Sequence, residues 1–359
     1  MIFDNTNGII FSILIRTVTI TSNNYSMRQI MNKAQVIKKL GPPEVMCWED
    51  WPLCDPKNDE VQLRHTAIGV NYADTYHRGG ISHPWPVPAP PVVIGFEGAG
   101  IVESVGKNVL GFKEGDRVAY GIPPLGSYSE RRNYPADKLL HLPKDLDERQ
   151  VAALLMKGMT AEYLLHRTYK VQVGDTILVH AAAGGMGLIL CQWAKALGAT
   201  VIGTVSTEEK AGIAKAAGCD FPVVRSDKSF SEVVREVTNG EGCAVVYEAI
   251  GKDTIQESLD SLKPMGVCAA YGHVSGAPDP VDIIQDLGRR GSLFITRPAI
   301  MHYVAKRADL EKTSSNLFKA ISEGIIKANI NYQYPLKEAV QAHQAIESGK
   351  TIGATVLIP

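Results

Sequence analysis

His180-Ala181-Ala182-Ala183-Gly184-Gly185-Met186-Gly187 follows the apolar run Thr176-Ile177-Leu178-Val179 and precedes a helix-forming stretch from Leu188 to Leu197. Strand, glycine turn, helix is the order in which a dinucleotide pyrophosphate site is built. Gly184 is expected to permit the sharp turn, while Gly185 and Gly187 let backbone and helix come close to phosphate and sheet. The helix N-terminus would offer free N–H groups and the positive end of its dipole. A glycine triplet alone suits a tight turn with close helix packing equally well, so its surroundings decide between the readings.

Around this stretch the strand-like runs 176–180, 200–205, 221–224, 244–248, 266–271 and 292–296 alternate with helical ones. Glu208 to Ala217 is closed by Gly218, and Phe230 to Val237 ends at Asn239-Gly240. Six strands with intervening helices predict an α/β, doubly wound six-stranded parallel sheet, with the glycine turn at the end of its first strand, where this architecture binds nucleotides. A helix-like stretch from Gly158 to His166 leads into it.

From Met31 to Ala153 the pattern is different. Lys33-Ala34-Gln35-Val36-Ile37, Val61 to Val70, Ala99 to Gly106 and Gly115 to Tyr120 are short strands separated by Gly and Pro, so this half is mainly β. The run Pro84-Trp85-Pro86-Val87-Pro88-Ala89-Pro90-Pro91 reads as a stiff surface loop, because proline fixes φ and removes donors. Leu310 to Pro359 holds two helical stretches and the strand-like tail Ala354 to Ile358, expected to return to the first domain. The expected organisation is therefore 31–153, 154–297 and a returning segment 298–359. Residues 1–30 form an extension, expected to be disordered. Its apolar run Ile9 to Ile20 is interrupted by Arg16 and too short to span a bilayer, and Arg16 and Arg28 alone make a thin case for a mitochondrial presequence.

Composition excludes several classes. With 37 basic against 38 acidic residues and no long charge block, no footprint for nucleic acid or an anionic membrane is present. Six cysteines at 47, 54, 191, 219, 243 and 268 contain no C-x-x-C pair, which suits reduced thiols in the cytoplasm.

The second strand decides which dinucleotide fits. An NAD site usually places Asp or Glu about twenty residues beyond the glycines to accept from the ribose 2′-OH. Gly203-Thr204-Val205-Ser206-Thr207 has no acid at that point. The Ser206 hydroxyl and the Lys210 cation, with Arg225 past the third strand, suit a 2′-phosphate instead, although either cation could equally be a solvated surface charge. Glu208 and Glu209 fit better as first-turn acids of the next helix. The expected cofactor is NADPH.

Gly69-Val70-Asn71-Tyr72-Ala73-Asp74-Thr75-Tyr76-His77-Arg78-Gly79-Gly80, Gly95-Phe96-Glu97-Gly98-Ala99-Gly100, Gly115-Asp116-Arg117-Val118, Lys157-Gly158-Met159-Thr160-Ala161 and His180 to Gly187 come in that order. Together they resemble the zeta-crystallin-like NADPH:quinone oxidoreductases, a zinc-free branch of the medium-chain dehydrogenases and reductases. The resemblance runs from Met31 to Pro359. It implies a GroES-like catalytic domain, a Rossmann domain, a cofactor cleft between them and commonly a homodimer formed through the Rossmann domains. It puts Asn71 and Tyr76 beside the nicotinamide, Thr160 near the phosphates or ribose, Gly184, Gly185, Met186 and Gly187 at the pyrophosphate, and Ser206 and Lys210 at the 2′-phosphate. Tyr271 and the stretch Phe294-Ile295-Thr296 would line the cofactor further on. Two positions depart from the family pattern. Ser82 stands where the family often has Tyr, leaving His83 or Trp85 as an aromatic wall, and Arg225 replaces a tyrosine near the adenine.

Zinc-dependent relatives carry His in a Gly-His-Glu motif and often four clustered cysteines; here the motif reads Gly95-Phe96-Glu97 and no such cluster exists. No metal is expected, so the chemistry must rely on the cofactor. A quinone suits such a site because its reduced product needs little acid catalysis. Asn71 would orient cofactor and acceptor, and Tyr76 would place a hydroxyl near the developing oxyanion. Asn71 could also simply satisfy a turn, and Tyr76 could be an ordinary cleft aromatic. His77 is a weaker candidate, since a lone His beside an Arg is more often a solvated side chain. Two alternatives share every cofactor residue: an NADPH-dependent alkenal or enone reductase, and a non-enzymatic NADPH-binding protein of the crystallin kind.

Overall fold

A computed structural model of the chain describes residues 31–81 and 86–359. The extension 1–30 and the positions Ser82, His83 and Trp85 lie outside the described residues, as do Pro84 and thus the start of the proline run.

The first lobe contains, in chain order, β1 (Lys33–Ile37), β2 (Met46–Asp50), β3 (Glu60–Val70), α1 (Tyr72–Gly79), β4 (Val92–Val93), β5 (Glu97–Val105), β6 (Arg117–Tyr120), β7 (Arg131–Pro135), β8 (Leu140–His141) and α2 (Glu148–Tyr163). The second holds β9 (Thr176–Val179), α3 (Gly185–Ala196), β10 (Thr200–Val205), α4 (Glu208–Ala216), β11 (Phe221–Val224), α5 (Phe230–Val237), β12 (Cys243–Glu248), α6 (Ile255–Asp260), β13 (Leu262–Ala270) and β14 (Phe294–Thr296). After it come α7 (Ile300–Tyr303), α8 (Arg307–Ser322), β15 (Ile330–Pro335), α9 (Ala339–Glu347) and β16 (Ala354–Ile358).

The second lobe is the expected doubly wound sheet. Its strands are all parallel in the order β11-β10-β9-β12-β13-β14, so the order reverses beside β9 and opens a crevice at that strand's C-terminal end. β12 is buried along its whole length, as expected of a strand covered by helices on both faces. In the first lobe the larger sheet runs β15-β16-β3-β5-β6-β8, with β7 also on β3. The tail does return: β16 pairs antiparallel with β3, setting Thr355 opposite Val70.

Helix α2 joins the lobes. Asp147 caps it, accepting from the amides of Arg149 at 2.9 Å and Gln150 at 3.3 Å. The stretch Val151 to Met156 is buried all round, because one side packs on β3 and β5 and the other on α3 and α8. A helix covered on both sides shows no amphipathic period, so sequence pattern places its start about ten residues late. The expected boundary between 153 and 154 falls inside this continuous helix.

Candidate active site

A cleft of ≈ 490 Å³ lies between the lobes, at the crevice beside β9. It is lined by eleven of the expected site residues: Asn71, Tyr76, Thr160, Gly184, Gly185, Met186, Gly187, Ser206, Lys210, Arg225 and Tyr271. The cations Lys157, Lys210, Arg225 and Arg297 line it too, and no carboxylate does among the described residues.

The glycine turn is anchored from below. His180 Nδ1 lies 2.9 Å from Thr204 Oγ1, and its Nε2 lies 2.8 Å from Ser258 Oγ and 3.3 Å from Glu248 Oε2. Complete burial pushes the imidazole below its usual range, opposed by the Glu248 carboxylate. One expectation for the turn needs correction. Gly184 has φ −78°, open to any residue, and the left-handed position is Ala181 at +51°. The 2.8 Å bond from Gly184 N to Ala181 O closes the turn, so the unusual backbone sits where that carbonyl must swing inward. Gly187 does what was expected: a Cβ there would stand 2.2 Å from Ala181 O and 2.6 Å from Ala182 Cα. Only glycine lets α3 start this close to β9, with its first-turn amides on the cleft.

At the ends of β10 and β11, Ser206, Lys210 and Arg225 converge on one side of the cleft. Thr207 caps α4 by accepting from Lys210 N at 3.3 Å, and Glu208 and Glu209 are first-turn acids as expected. The Lys210 ammonium donates to Gly349 O at 2.6 Å, and partial burial lowers its pKa. A hydroxyl and two cations with no acid make a surface complementary to phosphate.

The opposite end is built on α1. Asn71 precedes this helix, its backbone N–H donating to Asp74 Oδ2 at 2.9 Å and its side-chain Nδ2 to Glu97 Oε2 at 2.7 Å. Glu97 is fully buried, accepts from Met156 N at 2.7 Å and lies 3.6 Å from Lys157 Nζ. Burial raises its pKa and the Lys157 ammonium opposes the rise. Lys157 also donates to Val70 O at 3.1 Å, so Glu97 and Lys157 lock the stem of the Asn71 loop to α2. Tyr76 stacks on His273, ring centroids 4.6 Å apart and planes within 9°, and meets Tyr72 edge-on at 5.3 Å. Burial pushes its phenol well above the ordinary range, so it remains a hydroxyl donor. Thr160 donates to Met156 O at 2.8 Å within α2 while facing the cleft.

Two further expectations change. Phe294, Ile295 and Thr296 are outside the cleft lining: they form the edge strand β14, with Phe294 60% exposed, and Arg297 to Ile300 take the expected place. The strand period was read correctly, but the chain enters the cleft only after the strand ends. His77 is buried rather than solvated, its Nδ1 2.8 Å from Ala73 O and its ring edge-on to Phe96. Sequence reasoning missed Lys157 and Arg297 as cleft residues and His273 as the ring stacked on Tyr76. Lys157 opens the quoted motif Lys157-Gly158-Met159-Thr160, and His273 stands two residues after the expected Tyr271.

No group of three or more His, Cys, Asp or Glu side chains capable of holding a metal occurs among the described residues. At the Gly95-Phe96-Glu97 position the phenyl ring has no ligating atom, and Glu97 is committed to Asn71, Met156 and Lys157.

Residues 57–173 match the family model of the alcohol dehydrogenase GroES-like domain, and residues 185–310 match that of the zinc-binding dehydrogenases. The chain is 53% identical to the 2-haloacrylate reductase of a Burkholderia species, over 92% of this chain and 99% of the relative. It is 43% identical to quinone oxidoreductase 1 of Escherichia coli K12, over 89% and 98% of the two chains. The crystal structure of Escherichia coli quinone oxidoreductase complexed with NADPH superposes with a TM-score of 0.87 at 42% identity, covering 91% of this chain and all of that one. Matching both domains in order around this cleft, the chain belongs to the quinone oxidoreductase family of the medium-chain dehydrogenases and reductases.

Proposed function

We propose that this chain is an NADPH-dependent reductase of quinones that works without a metal. The observation that carries the reading is the polarity of the cleft: phosphate-complementary groups at the end of β10, a free helix start at its centre, and the stacked Tyr76 and His273 at the far end. The residues fit an extended dinucleotide with an additional phosphate. Counted from β10 across β9 and β12 to β13, whose end leads to His273, the two ends are separated by three strand spacings, roughly 14 Å.

In this reading Ser206, Lys210 and Arg225 hold the 2′-phosphate, and Gly185, Met186 and Gly187 present amides to the pyrophosphate. Thr160 and Tyr271 flank the chain between, and Asn71, fixed by Glu97, orients the nicotinamide end. NADPH when bound supplies the hydride. Tyr76 offers its hydroxyl to the acceptor oxygen on which charge develops, and the apolar stack of Tyr72, Tyr76 and His273 excludes water there. A small para-quinone and NADPH mixed with the protein should bleach the nicotinamide absorbance, faster than with NADH. No bleaching with any member of a quinone panel would refute the assignment.

A second acceptor class, the carbon–carbon double bond of an enone or alkenal, is favoured by the 53% identical 2-haloacrylate reductase. We also propose a homodimer through the second lobe. β14 is an open sheet edge, and the exposed Phe294, Met265, Ile283 and Ile284 lie on that lobe. The six free thiols, two of them exposed, suit a reducing compartment, and we assign the protein to the cytoplasm. No described helix is long and apolar enough to cross a membrane.

A further inference from the structure

Arg297 is the cation at the Tyr76 end of the cleft, and nothing in the quinone reading uses it. It follows β14 directly and lines the cleft beside Pro298, Ala299 and Ile300. Its hydrogen bonds are long ones, 3.4 Å from Nη2 to His273 Nδ1 and 3.4 Å from Nη1 to Pro298 O, at the weak limit for a charged donor. Among the described residues no carboxylate lies within ion-pairing distance of it. The other cleft cations are engaged or remote: Lys157 is held by Glu97 and Val70 O, and Lys210 and Arg225 stand at the phosphate end. A guanidinium presented to an apolar, aromatic-walled space with its fork unfilled is complementary to a planar anion that can accept two parallel N–H bonds.

We propose that Arg297 is the receptor for a carboxylate on an acceptor of the carbon–carbon double-bond class, and that it sets the preference for unsaturated acids over neutral acceptors. The proposal rests on the NADPH-reductase reading. Hydride from NADPH forms the new C–H bond at the β-carbon, and the π pair of the alkene moves onto the α-carbon and carboxylate. Arg297 stabilises the extra charge on the carboxylate oxygens. A proton from water then adds to the α-carbon, leaving a saturated acid and oxidised cofactor. Because the charge grows on the group Arg297 grips, this residue stabilises the transition state more than the bound substrate.

The test compares 2-chloroacrylate with neutral 1,4-benzoquinone, both with NADPH, in the wild type, Arg297→Met and Arg297→Lys. Calorimetry of 2-chloropropionate binding to the protein with oxidised cofactor gives a readout apart from turnover. The wild type should reduce both acceptors. Arg297→Met should lower the ratio of acid to quinone kcat/KM by about a hundredfold and weaken chloropropionate binding in parallel, with Arg297→Lys between, since a point charge replaces the fork. Any loss common to both acceptors cancels in the ratio. A ratio unchanged within about threefold, or a wild type that reduces the quinone but no unsaturated acid, overturns the proposal while leaving the reductase reading intact. Failure with both acceptors removes the reductase reading itself, and this proposal with it.

Discussion

The side-chain amide of Asn71 donates to the carboxylate of Glu97 across 2.7 Å, joining the start of α1 to a group buried under α2. The approach is this close because residue 69 is glycine; a Cβ there would lie 2.0 Å from Ala152 O and 2.4 Å from Glu97 Oε2. The backbone of β3, the Glu97 carboxylate and α2 thus form one packed unit that sets where Asn71 faces the cleft.

Glu97→Gln should therefore destabilise the fold and loosen the site together. The amide loses the charge paired with Lys157 and sets its NH2 group against one of the two donors, Asn71 Nδ2 or Met156 N–H, while its oxygen accepts from the other. Lys157 keeps its two backbone carbonyls, so the expected cost is near the lower end for a broken buried pair, about 3 kcal/mol. Urea unfolding of the two proteins measures this directly; a change within experimental scatter would show that the pair holds nothing.

Two glycines of the turn should respond differently to alanine. Gly187→Ala drives a methyl into the backbone of Ala181 and Ala182 and should cost about 2–3 kcal/mol and most of the cofactor affinity. Gly184→Ala has an ordinary φ and its methyl meets nothing nearer than Ala181 O at 3.1 Å, so its cost should stay below about 1 kcal/mol. Equal losses in thermal denaturation would mean the turn is not built as described.

Stability should fall on acidification below pH 6.5. Burial, aided by Arg132 and Arg78 respectively, lowers the pKa of His65 and His343 to about 3, whereas both titrate near 6.5 once unfolded. Between those values only the unfolded chain binds the two protons, so stability drops with falling pH. Asp74 has the opposite sign: burial raises it to about 7 against an ordinary 3.8, so its native form keeps a proton the unfolded chain has lost, and stability drops as pH rises across that window. Glu97, raised by burial, acts with Asp74, while the buried His77 and His180, lowered by burial, act with His65 and His343, so the histidines outweigh the carboxyls. Asp74→Asn removes its opposing contribution and should steepen the dependence between pH 4 and 6.5 by about 1 kcal/mol per pH unit. Unfolding curves at four pH values decide it, and an unchanged slope contradicts the assignment.

Tyr76→Phe should lower kcat on quinones by about tenfold with little change in KM, because the ring stack on His273 survives and only the hydroxyl is lost. A rise in KM at constant kcat would instead mark Tyr76 as a packing residue.

What the sequence showed plainly was whatever repeats with a period. Lys33 to Ile37, Thr200 to Val205 and Phe230 to Val237 have the same limits in the structure as in their hydrophobic pattern. Periodicity failed where burial is two-sided or polar. α2 buries Val151 to Met156 without a break, and α1 buries Asp74, Thr75, His77 and Arg78, so in neither does burial follow the apolar residues alone. The residues proposed to hold the cofactor phosphates were legible because phosphate chemistry demands glycine, hydroxyl and cation at set points after β9 and β10. Arg297 and His273 were not, since their place at the Tyr76 end depends on where the chain goes after β13 and β14 end, and no spacing rule records that.

The central claim is that the end of β10 grips a 2′-phosphate. Dissociation constants for NADPH and NADH, measured by protein fluorescence in the wild type and in Lys210→Ala, test it most directly. The wild type should prefer NADPH by at least about tenfold, and Lys210→Ala should weaken NADPH by about tenfold or more while leaving NADH within about twofold. Equal affinities in the wild type, or equal losses in the variant, would contradict it.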